Sequence, residues 1–241
     1  MDSGWGATVA VLLKSDRVDA NHKDRFGQTA LSIAARMGDE AVTKALLDKE
    51  GTEVDIPDNT GWTPLIQAAK NGSEGILRLL FENGGVNINP NQQDTAGQPA
   101  LHWAAAIGNI AAVRKLVTHP LINVNLTDKV GRSPMWRAAA NGHVAAVAVL
   151  LDACADVNTE ESTHKTALRA AVENGRDEVA ELLLANGADL QRGCSNSWAL
   201  LHVASLTASL RLQKLLEAHG LVGHEDLFGL VDLFACLQRC E

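Results

Sequence analysis

The sequence predicts an all-α solenoid of about six helix–turn–helix units with partial terminal caps. Three observations predict it. A short phrase recurs along the 241 residues at a spacing of 33 to 36; each copy continues into an alanine pair and a glycine; and each then closes on a paired aliphatic. Self-similarity at such a period is the signature of a stacked-repeat architecture, in which each unit buries its apolar face only against its neighbours.

The phrase is an acidic or polar residue, two variable residues, Gly, a variable residue, then a Thr-Pro-Leu-like turn. It reads Asp24-Arg25-Phe26-Gly27-Gln28-Thr29-Ala30-Leu31, then Asp58-Asn59-Thr60-Gly61-Trp62-Thr63-Pro64-Leu65. The third and fourth copies are Asp94-Thr95-Ala96-Gly97-Gln98-Pro99-Ala100-Leu101-His102 and Asp128-Lys129-Val130-Gly131-Arg132-Ser133-Pro134-Met135. The fifth is eroded, with Glu161 and His164 in place of Asp and Gly before Thr166-Ala167-Leu168; the sixth, Ser197 to His202, keeps only Leu201-His202. Downstream, Ala34-Ala35, Ala68-Ala69, Ala104-Ala105 and Ala138-Ala139 let first helices approach closely. Gly38, Gly72, Gly108, Gly142 and Gly175 supply the positive φ that ends them. The Thr caps the first helix and Pro fits its first turn. Leu46-Leu47, Leu79-Leu80, Leu116-Val117, Leu150-Leu151 and Leu183-Leu184 close the second helices and fill the seam between units.

This pattern resembles the ankyrin repeat family, with its period near 33 and its Thr-Pro-Leu-His-x-Ala signature. Linkers such as Val18-Asp19-Ala20-Asn21-His22-Lys23-Asp24 resemble those of divergent ankyrin arrays from filamentous fungi. The expected divisions are an N-terminal half-repeat over 1–23, repeats over 24–57, 58–93, 94–127, 128–160, 161–193 and 194–220, and a capping helix over 221–241. Residues 7–13 read as a second helix without its first. The N-terminal end is therefore expected to belong to a longer chain or to self-associate through Val9, Leu12 and Leu13. Asp226-Leu227-Phe228-Gly229 would open a truncated unit whose helix covers the last repeat.

Composition narrows the function. A net charge of −8 weighs against nucleic acid as the main partner, and no apolar run is long enough to span a bilayer. Cys154, Cys194, Cys236 and Cys240 fall at no zinc or disulfide spacing, which suits reduced thiols in the cytoplasm or nucleus. No phosphate loop, metalloprotease helix or nucleophile elbow is present, so neither a cofactor nor a metal is expected.

The resemblance implies that the residues flanking each turn glycine and closing each first helix share one concave face. Carried onto this sequence, that face holds Arg25, Phe26 and Arg36 in the first repeat, and Trp62 and Lys70 in the second. Ile107, Arg132, Trp136, Asn141 and Trp198 follow in later repeats. It carries more Lys and Arg than acids, and Trp and Arg are the residues most enriched at interface hot spots. A protein or peptide partner, acidic or extended, suits it; the expected work is that of a scaffold or adaptor and not of an enzyme.

Trp is unusual here: five are present and no Tyr. Trp62 and Trp198 share an exposed turn position, read as a binding position. Trp103 and Trp136 are read as filling space between the third and fourth repeats. His102 and His202 invite a catalytic or metal reading, but the resemblance implies that this His bonds backbone in the adjoining turn. With repeats about 10 Å apart, the two histidines stand roughly 30 Å apart, too far for one site. The competing reading is a cofactor-free enzyme, a fungal biosynthetic one among the options, with a pocket on repeats three to five using His102, Arg137 and Arg169.

Overall fold

In a computed structural model, the structure describes residues 5–15, 17–84, 88–192, 200, 204 and 209–219. The expected C-terminal cap, Trp198 and His202, and all the cysteines except Cys154 lie outside these residues. The described residues form twelve α-helices and no strand. No helix among them is long and apolar enough to cross a membrane. The chain divides into two compact units, one up to Lys129 and one from Val130 onward.

In the first unit, α1 (Trp5–Leu13) is followed by three hairpins: α2 (Ala30–Met37) with α3 (Glu40–Leu47), α4 (Pro64–Asn71) with α5 (Glu74–Gly84), and α6 (Ala100–Ile107) with α7 (Ile110–Val117). First helices pack on first helices and second on second; α1 lies against α3, in the layer of second helices. The approach is close enough that a Cβ on Gly6 would stand 2.6 Å from the Ala41 methyl. Val11 and Leu12 point outward, 65% and 58% exposed. The second unit repeats the plan with α8 (Pro134–Asn141) and α9 (Val144–Asp152), α10 (Ala167–Glu173) and α11 (Asp177–Ala185), and α12 (Leu210–Ala218) against α11.

Each first helix starts where a hydroxyl accepts a backbone N–H. Thr29, Thr63, Ser133 and Thr166 accept from Ser32, Ile66, Trp136 and Arg169 at 3.1 to 3.3 Å. The third copy departs from this rule: Pro99 stands at the cap position with no side-chain bond, and the His102 amide donates to the Pro99 carbonyl instead. The alanine pairs are buried throughout. Both members of Leu79-Leu80 and Leu183-Leu184 are buried, but the other aliphatic pairs divide, because successive helical residues turn by about 100°. Leu46, Leu116 and Leu150 are buried while Leu47, Val117 and Leu151 are half-buried. Each fully buried leucine is worth about 1.5–3 kcal/mol.

The turns are fixed by their acids. One Asp24 oxygen accepts the amides of Phe26 and Gln28, one Asp58 oxygen those of Thr60 and Trp62, and one Asp94 oxygen those of Ala96 and Gln98. Successive turns are then joined by backbone bonds: Asn59 N–H to Phe26, Thr95 to Thr60 and Lys129 to Ala96 in the first unit, and Ser162 to Val130 in the second. The eroded fifth turn keeps this geometry. His164 adopts φ +64° where the intact turns have glycines at +77° to +84°. Glu161 is held below its ordinary carboxylate range: burial alone would raise it, but bonds from Thr163, Lys165 and Ser162 outweigh that.

An asparagine ladder ties the linkers. The carbonyl oxygens of Asn21, Asn91 and Asn158 accept the amides of Glu53, Asn123 and Asp189; their NH2 groups donate to the carbonyls of Gly51, Leu121 and Gly187. Asp55 holds the same register position. One of its oxygens accepts from the Asn89 amide, and the other is buried without a hydrogen-bond partner.

Candidate functional site

In the first unit the turn and first-helix residues gather an aromatic and cationic surface. Trp62 follows Gly61 in the second turn, and Trp103 sits in the first half of α6. Their ring centroids are 4.8 Å apart with planes at 54°. Asp94 orients the second ring: while one oxygen holds its turn, the other accepts the Trp103 indole N–H at 3.1 Å. Lys70, in the last turn of α4, places its ammonium 4.6 Å from the Trp62 ring and 5.2 Å from the Trp103 ring. Trp103, expected to fill space between the third and fourth repeats, reaches back to the second repeat, drawn there by the partner ring and the Asp94 carboxylate. Trp62, expected to stand exposed, is half-buried for the same reason.

Around this cluster lie Arg25, whose guanidinium sits 4.6 Å over the Phe26 ring, and Arg36 and Met37 at the end of α2. Phe26 is 54% exposed, Met37 74% and Ile107 45%. Arg25, Arg36 and Lys70 form no ion pair among the described residues. The nearby turn acids Asp24, Asp58 and Asp94 accept backbone amides and make no ion pair with these cations among the described residues.

The second unit treats the same register differently. The Arg132 guanidinium stands 5.4 Å from the Trp136 ring, which is half-buried, and its indole nitrogen is buried without a hydrogen-bond partner. Asn141 is exposed at the end of α8. Arg169 is buried and bonds Glu173 at 2.8 Å, and Glu173 also takes the Lys165 ammonium at 3.1 Å. Arg137 is half-buried, and in the first unit His102 is buried at 1% exposure. Among the described residues no group of three or more His, Cys, Asp or Glu could hold a metal ion. The Trp62–Trp103 contact escaped the sequence reading; its only signal was two Trp on adjacent repeats, at positions one and six past their turn glycines.

A family model described as ankyrin repeats (3 copies) matches residues 4–94, 85–161 and 101–194. No curated protein matches the chain. The matched segments cover well over half of the sequence and carry the turns, caps and paired helices described above: the chain belongs to the ankyrin repeat family.

Proposed function

We propose that this protein is a scaffold or adaptor of the cytoplasm or nucleus, holding an acidic, extended stretch of a partner protein on the turn and first-helix face of residues 24–129. Ankyrin repeats generally serve as protein–protein interaction modules and typically are not enzymes. The observation that carries the finer reading is the Trp62–Trp103–Lys70 cluster with Arg25 and Arg36 beside it, a large aromatic surface edged by cations that form no ion pair among the described residues. Desolvated aromatics ringed by polar groups are what binding hot spots are made of. Arg132, Trp136, Asn141 and Trp198 are proposed as further contact residues. Catalysis on His102, Arg137 and Arg169 has no such support: His102 is buried and Arg169 is engaged by Glu173.

Affinity capture from cell extract tests the reading, with a folded Trp62→Ala/Arg36→Ala variant as control. The double change is expected to weaken partner binding by about 2–4 kcal/mol in total. Equal recovery of the same partners by both proteins would place the binding face elsewhere.

A further inference from the structure

We infer that the segment held on this face is a polyproline-type strand with acidic side chains three residues apart, one meeting Arg36 and the next Lys70. The inference rests on the binding reading above and specifies its ligand. Arg36 and Lys70 occupy one register position, nine residues past Gly27 and Gly61 and in the last turn of α2 and α4. These helices pack directly on each other, and the Asn71 side-chain NH2 donates to the Arg36 carbonyl. The backbone positions that carry the two cations are thus displaced by one helix-packing distance, about 8–10 Å.

That spacing selects among backbones. A polyproline II chain returns its side chains to one face every three residues, a rise of about 9.3 Å. A β-strand does so every two, about 6.7 Å, and overshoots at four. An α-helix meets the distance only at about seven residues, and wants a continuous apolar groove; here Asn59, Arg36, Lys70 and Asn71 interrupt one. The surface beside Lys70 is the Trp62–Trp103 pair, and aromatic surfaces are what proline-rich segments dock against. One repeat further on, Ile107 offers an apolar contact for an aliphatic side chain three residues beyond the second acid.

The test is fluorescence anisotropy on the full chain at low ionic strength. The probes are labelled proline-rich peptides of one composition whose two glutamates lie two, three or seven positions apart. The spacing of three is expected to bind roughly three- to fivefold tighter than the others, because only it satisfies both cations. Arg36→Ala and Lys70→Ala should each abolish the preference, and Lys70→Arg should keep it; circular dichroism verifies that each variant is folded. A preference for two or seven would overturn the polyproline assignment. Equal binding at all spacings, still weakened by Lys70→Ala, would overturn the register and leave the binding face standing. No binding, or binding indifferent to both alanine variants, would overturn the inference; the capture experiment above then judges the face by itself.

Discussion

The second and fifth repeats place different residues at the same two register positions. One position past the turn glycine and nine positions past it, the second repeat has Trp62 and Lys70; the fifth has Lys165 and Glu173, counted from His164. In both, the turn residue meets the end of the first helix. In the second repeat the meeting is an ammonium 4.6 Å from an indole, with its charge still available to a partner. In the fifth it is a 3.1 Å ion pair that shares its carboxylate with the buried Arg169. On the proposed reading, one geometry would serve recognition where its charge is left open, and it serves an internal ion pair where the charge is closed.

Substitutions separate these uses, and the largest effect is expected at the aromatic pair. Trp103→Ala removes a half-buried ring, its contact with Trp62 and its bond to Asp94; urea unfolding should report a loss of about 2–4 kcal/mol. Arg169→Ala comes next, at about 1–3 kcal/mol, because it leaves Glu173 with Lys165 alone. Arg169→Ala should leave partner affinity unchanged. Lys70→Ala is the converse: an exposed cation contributing at most about 1 kcal/mol to stability, but several-fold to binding of an acidic partner. A protein in which Lys70→Ala unfolds as readily as Arg169→Ala would erase the distinction between the two repeats.

The turn grammar was legible because it is local. Thr29, Thr63 and Thr166 cap the helices they precede, and the glycines sit where the backbone needs positive φ. Even the fifth turn obeys, since Glu161 and His164 reproduce the bonds and the backbone conformation of Asp and Gly by other means. The third helix shows the opposite, a consensus position whose Pro99 makes no cap. The aromatic cluster was not legible. Trp62 and Trp103 stand in different repeats, and their meeting depends on rotamers and on the second oxygen of an Asp94 whose first oxygen holds a turn. Likewise, the pairing of Arg169 with Glu173 follows from helix spacing, but its sharing with Lys165 depends on the fold of the turn.

The smallest expected effect concerns a group that is neither open nor closed. Asp55 stands in a ladder of asparagines, and burial raises its carboxyl above the ordinary range against the opposing bond from the Asn89 amide; Lys23 and Glu53 line the same cleft. A folded-state value above the unfolded one means a contribution to stability that is present below the unfolded value and lost as pH rises through the folded one. Asp55→Asn should therefore give a modest rise in Tm at neutral pH and remove that part of the pH dependence. An unchanged Tm and pH profile would show that the ladder tolerates the carboxylate at no cost.

The most direct test of where this protein binds is hydrogen exchange on the chain with and without its captured partner. Protection is predicted in segments 24–37, 59–71 and 95–107, the turns and first helices around Trp62, Trp103 and Lys70. Protection confined to α3, α5 and α7, or to residues 130–192 alone, would contradict the account.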